Sequence, residues 1–183
     1  MAESGQTPTS WRVEIDDEAG TRRLADELGD ALRPDDLVTL TGDLGAGKTA
    51  FARAVIRKLA EDPELEVPSP TFTLMQLYQG KDCAIVHADL YRLSDAAECE
   101  ELGLAELAQD HVLMIEWPDR LEGETFSPDY LHVRLEHRGD AREAVLPGSG
   151  SWPQRLAKLA AISAFLTACG WGDAERRFLE GDA

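Results

Sequence analysis

Residues 42–49, GDLGAGKT, satisfy the spacing G-x-x-x-x-G-K-[ST]. Glycines in such a loop permit backbone angles that turn several N–H groups toward one anion. A helix starting at the loop's end adds its positive pole. Lys48 can reach the β and γ phosphates of a nucleotide, and the Thr49 hydroxyl suits a Mg²⁺ ligand. The candidate nucleotide-binding stretch is therefore Gly42, Asp43, Leu44, Gly45, Ala46, Gly47, Lys48, Thr49 and the adjoining Ala50. Such a loop holds a phosphate without saying what the phosphate is spent on.

A phosphate loop of this type needs a carboxylate near the magnesium, usually at the end of a neighbouring strand. Two apolar runs end in one: VLMIEW reaches Glu116 and AIVHAD reaches Asp89. One is expected to hold the metal and the other to orient or deprotonate the attacking water. Periodicity does not choose between them. Trp117 follows Glu116 directly and reads as a core residue or as a plate packed on the nucleotide or a partner. His87 reads as a strand residue with a satisfied ring. Arg92 is placed to pair with a carboxylate or a phosphate. In SPTFT, the hydroxyls of Ser69, Thr71 and Thr73 stand in a stretch unlike a core strand. A Thr in such a loop can sense a γ-phosphate.

Elements must hold these residues in place. WRVEI alternates like a short strand, and DLVTLTG reads as a buried strand feeding the loop. Leu24, Leu28 and Leu32 share a helical stripe that Pro34 ends; Phe51, Ala54, Val55 and Leu59 mark a helix after the loop. VPSPTFTLMQLYQG reads as a loop running into a strand. SDAAECEELGLAELAQD reads as one helix, capped by Ser94 or Asp95. Two strands around HRGD form a hairpin, GSGS at 148–151 a flexible joint, and Leu156, Leu159, Ile162 and Leu166 one side of a last helix. Strands and helices alternate until the hairpin. The expected fold is α/β: an open, mostly parallel sheet flanked by helices, with a C-terminal β-hairpin and an extra C-terminal helix.

The bulk numbers fit one globular domain. The chain has 183 residues, 43 % of them hydrophobic. No run of about 18 apolar residues predicts a membrane span, and the first ten residues lack the basic start and apolar stretch of a signal peptide. Cys83, Cys99 and Cys169 are odd in number and far apart, which argues against a disulfide framework or a zinc site and for a reducing cytoplasm. The formal net charge of −17 repels a phosphate backbone, so direct binding of nucleic acid over a large face is not expected.

GDLGAGKT, VPSPTFTL, HADLYRL and MIEWP, in that order and at this spacing, resemble the bacterial tRNA threonylcarbamoyladenosine biosynthesis ATPase family, TsaE. The match runs over about residues 11–146. The resemblance implies a small ATPase using ATP and Mg²⁺ that supports modification of adenosine 37 in tRNA. It also implies TsaD and TsaB as partners, with ATP hydrolysis resetting their complex and tRNA touched only indirectly. Carried over by position, Lys48 binds phosphate and joins Asp89, the catalytic carboxylate. Thr49 and Glu116 hold Mg²⁺, Thr71 belongs to a switch-like loop and Trp117 lies beside the site. Thr21 matches a family threonine near the adenine, and Arg142 falls where the family's hairpin carries a basic residue. Residues 1–10 then form a disordered tail, 11–147 the ATPase domain, and 148–183 a linker and helical extension packed on the same domain.

Two other readings share the loop. A small-molecule kinase needs a lid bearing arginines, and residues 95–110 are acidic instead. A nucleotide-gated binding module would bind ATP and scarcely hydrolyse it. No N-K-x-D guanine signature occurs, which leans toward ATP.

Overall fold

The computed structural model describes residues 10–94, 96–121, 129–139, 141–168 and 179–180, with the side chains of 96, 162–168 and 179–180 set aside. The tail before Ser10, Asp95 as a cap, Asp140 of the hairpin turn, Cys169 and the side chains of Ile162 and Leu166 lie outside the described residues.

Among the described residues eight strands form one sheet: β1 (Ser10–Ile15), β2 (Leu37–Thr41), β3 (Met75–Gln79), β4 (Ala84–Asp89), β5 (His111–Glu116), β6 (Tyr130–Arg138), β7 (Ala141–Pro147) and β8 (Leu179–Glu180). Their order is β3-β4-β5-β2-β6-β7-β1-β8. The central pairs β4–β5, β5–β2 and β2–β6 are parallel, and the remaining pairs are antiparallel. Five of the eight strands, β1, β2, β4, β5 and β6, thus run in one direction. The expected hairpin is β6–β7.

Helices cover both faces. α1 (Glu18–Ala31) starts at Asp17, whose carboxylate accepts from the Gly20 N–H at 2.7 Å, a side-chain cap for an orphan donor. α2 (Lys48–Ala60) starts at the phosphate loop. Both pack on one face with Leu24, Leu28, Phe51 and Ile56 in a core shared with Val38 and Leu40 of β2. On the other face, Leu93, Cys99 and Leu104 cover Val86, Ala88, Leu113 and Ile115. The acidic segment there is two short helices, α3 (Ala96–Glu101) and α4 (Leu104–Leu107), rather than one. Gly103 between them has φ +62°, a left-handed turn that a continuing helix does not contain.

The last helix, α5 (Trp152–Ala168), returns to the α1 face, where Trp152 and Leu156 enter the same core. Its approach is not a flexible joint. Ser149 N–H donates to the Tyr130 carbonyl at 2.9 Å, and Tyr130 N–H donates to Ser149 Oγ at 3.1 Å. Ser151 Oγ donates to Asp129 at 2.6 Å. The serines that make GSGS look like a linker are the groups that tie it down. Among the described residues no helix is long and apolar enough to cross a membrane.

Candidate nucleotide and metal site

β2, β4 and β5 end side by side, so the loop after β2, Asp89 and Glu116 meet at the carboxyl edge of the parallel strands. That edge is the usual ligand side of an open α/β sheet. Gly42, Gly45 and Gly47 have φ of 136°, 81° and 104°. At Gly42 the demand is also steric: a Cβ there would lie 2.3 Å from the Leu135 carbonyl oxygen.

Lys48 is 5 % exposed. Its Nζ donates to the Gly42 and Asp43 carbonyls at 2.6 and 2.9 Å and stands 3.9 Å from the centroid of the Trp117 ring. Burial pulls the ammonium below its ordinary pKa, against the opposing pull of Glu116, Asp89 and Asp43. Trp117 itself has φ +59°, a conformation a bulky residue adopts only when its surroundings impose it. Its N–H donates to the Leu40 carbonyl at 3.2 Å, which fixes the bend just after β5.

The two carboxylates have different neighbours. Glu116, 2 % exposed, accepts from the Thr49 hydroxyl through Oε2 at 3.0 Å; its Oε1 lies 2.9 Å from His87 Nε2. Asp89, 3 % exposed, accepts through Oδ2 from Thr71 at 2.6 Å and Ser69 at 3.0 Å, and through Oδ1 from the Tyr91 N–H at 3.0 Å. The structure therefore couples Glu116 to the phosphate loop and Asp89 to the 69–74 loop. Thr73, the third hydroxyl of that loop, is exposed.

Thr49 and Glu116 are hard oxygen donors side by side at the phosphate loop, a set that fits Mg²⁺. Among the described residues no cluster of three or more His, Cys, Asp or Glu could hold a metal alone.

A cleft of about 720 Å³ opens on the opposite side of the loop, between α1, α2 and the hairpin. Thr21, Ala46, Gly47, Ala50 and Arg142 line it; Lys48, Thr49, Asp89, Glu116, Thr71 and Trp117 do not. The expected residues thus fall into two groups joined by the loop. Among the described residues Arg142 Nε is buried without a hydrogen-bond partner, and a Cβ on Gly47 would stand 3.7 Å from it. Asp43, Leu44 and Gly45 form the exposed tip of the loop.

Among the described residues no carboxylate pairs with Arg92. Its guanidinium carbon lies 4.8 Å from the ring centroid of Phe72, an 86 % exposed side chain whose face attracts the cation. Ser69, Tyr91 and His87 reach the two carboxylates without having been singled out for it. For His87 the signal was the alternation of AIVHAD, which puts Ile85, His87 and Asp89 on one face.

The family model described as "Threonylcarbamoyl adenosine biosynthesis protein TsaE" matches residues 15–144. A Rickettsia felis protein described as "tRNA threonylcarbamoyladenosine biosynthesis protein TsaE" is 38 % identical over 122 residues, 67 % of this chain and 70 % of the relative. A Mycobacterium tuberculosis protein of the same description is 38 % identical over 141 residues, 72 % of this chain and 79 % of the relative. Among solved structures, the Bacillus protein YdiB superposes with a TM-score of 0.70 at 23 % identity, covering 87 % of this chain and 99 % of that one, a likeness of fold. The chain belongs to the TsaE family of threonylcarbamoyl adenosine biosynthesis proteins.

Proposed function

We propose that this chain is a Mg²⁺-dependent ATP hydrolase, slow alone, whose turnover resets a TsaD–TsaB complex that modifies adenosine 37 of tRNA. The observation that carries the reading is the Thr49–Glu116 pair at 3.0 Å, set against a second carboxylate held apart by a hydroxyl loop. A metal ligand and a water-handling or sensing group are then distinct residues.

In this reading Lys48 exchanges the two loop carbonyls for phosphate oxygens, and the main-chain N–H groups of the loop close around the same anion. Thr49 and Glu116 hold the Mg²⁺, which when bound offsets phosphate charge as it builds up in transfer. The α1–α2 cleft, within the size range of small-molecule sites, takes the nucleoside against Thr21, Ala50 and Arg142. Asp89 is tied to the 69–74 loop through Ser69 and Thr71, so the position of that loop sets how its carboxylate meets a water. A partner that moves the 69–74 loop would therefore raise the rate, and no arginine in 95–110 offers a kinase-type lid.

The test combines calorimetry with phosphate release. Lys48→Ala should lose ATP·Mg²⁺ affinity. Glu116→Ala should lose the part of binding that needs magnesium. Asp89→Ala should bind as wild type and hydrolyse at least about 100-fold more slowly, the range typical of a positioned acid–base group. Adding the TsaD–TsaB pair should raise phosphate release by the wild type, and Thr71→Ala or Trp117→Ala should blunt that rise more than nucleotide binding. A fast rate for the chain alone that the pair leaves unchanged would refute the reading.

A further inference from the structure

We infer that His87 is a positioning residue for the metal site: its Nε2–H fixes the plane of the Glu116 carboxylate so that Oε2 is presented at Thr49. The inference rests on the proposed role of Glu116 as a Mg²⁺ ligand.

His87 sits on β4 one pleat below Asp89, on the face that α2 covers, with no exposed surface. The register pairs His87 with Met114 and Asp89 with Glu116, so the imidazole lies diagonally beneath the Glu116 side chain. One carboxylate oxygen then meets the Thr49 hydroxyl and the other the ring nitrogen, at 3.0 and 2.9 Å. A carboxylate held at both oxygens from two elements cannot rotate about its last bond without breaking one contact.

Among the described residues Nδ1 is buried with no hydrogen-bond partner, and the one hydrogen bond this ring makes is to Glu116. A carboxylate only accepts, so Nε2 carries the N–H and the ring donates this bond to Glu116. A side chain that only filled space in this core would be apolar, since burying an unpaired polar atom opposes folding. Outer groups that orient a metal ligand commonly change metal affinity by about 10–100-fold when removed.

The experiment measures Mn²⁺, an electron-paramagnetic stand-in for Mg²⁺, binding to the full chain saturated with ADP, and ADP binding in EDTA. His87→Leu should lower Mn²⁺ affinity about 10–100-fold and leave metal-free ADP affinity as in wild type. His87→Gln carries an amide N–H near the place of Nε2 and should recover most of the metal affinity. His87→Asn puts its nitrogen nearer the place of Nδ1 and should behave like His87→Leu. If the leucine variant does not fold, the glutamine–asparagine contrast decides alone. Wild-type Mn²⁺ affinity in the asparagine variant, or equal loss of ADP with and without metal, overturns the inference while the proposed function stands. A wild-type chain whose nucleotide binding ignores the metal overturns both.

Discussion

His132 on β6 shows a titratable residue caught between hydroxyls. Its Nδ1 lies 2.8 Å from Thr39 Oγ1 and its Nε2 2.9 Å from Thr41 Oγ1. Burial lowers its pKa from the ordinary value of 6.5, the Arg134 cation lowers it further, and Asp119 pulls the other way. As pH falls through 6.5 the unfolded chain takes up the proton before the folded one does, so folding loses stability on the acid side. His132→Gln keeps hydrogen-bonding capacity and removes the titration. The wild type should therefore lose more Tm than the variant between about pH 7.5 and pH 5.5. Equal losses in a thermal melt would show that His132 does not carry this linkage. The same scale explains what was readable at the site. The strict spacing of the phosphate loop names its own residues, and strand-end position named Asp89 and Glu116. Their different neighbours were not readable from residue order, because both end similar apolar strands. The difference lies in contacts across 67 residues from Thr49 to Glu116 and across 18 from Thr71 to Asp89.

At the scale of elements, α5 is held by a clamp. Arg155 donates to both carboxylate oxygens of Asp36 and to the Ala31 carbonyl, and its guanidinium stacks 3.7 Å from the Trp152 ring centroid. The clamp joins the C-terminal helix to the end of α1 and the start of β2, the strand that feeds the phosphate loop. Arg155→Ala would leave the buried Asp36 with the Arg33 N–H as its remaining partner at 2.7 Å. Removing one member of a buried pair costs about 3–5 kcal/mol, which in a chain of this length lowers Tm by roughly 6–15 °C. A melt within about a degree of wild type would show that α5 adds no stability through this contact. Periodicity found α5 because Leu156 and Leu159 face inward, and Asp36 gave no such hint. The antiparallel flank was equally hidden: β1 pairs with β7, Ser10 meeting Pro147, and nothing local in WRVEI encodes a partner that far along the chain. The break at Gly103 was visible as a glycine, but a helical pattern tolerates one glycine, so only the left-handed angle reveals the stop.

For the whole molecule, the two halves of the site face different surroundings. The α1–α2 cleft is lined by its own charges, whereas the edge bearing Leu44, Phe72 and Tyr91 exposes apolar surface around the phosphate loop and Asp89. Cations are few, 18 against 35 acidic residues, and among the described residues Arg12, Lys58, Lys81, Arg134, Arg138 and Arg155 are already bonded to carboxylates. A non-specific nucleic-acid binder reaches a Kd of about 1–100 µM at physiological salt by neutralising phosphates with free Lys and Arg. With these six cations paired and a net charge of −17, this chain should stay outside that range. Fluorescence anisotropy of labelled tRNA at about 0.15 M salt, titrated with the chain alone to about 100 µM, should show no saturation. In the proposed function tRNA is held by the TsaD–TsaB pair, so the same titration with that pair present should show binding. Saturation by the chain alone in the low micromolar range, weakening steeply as salt rises, would mean that a concentrated basic patch outweighs the net charge and that tRNA touches this protein directly.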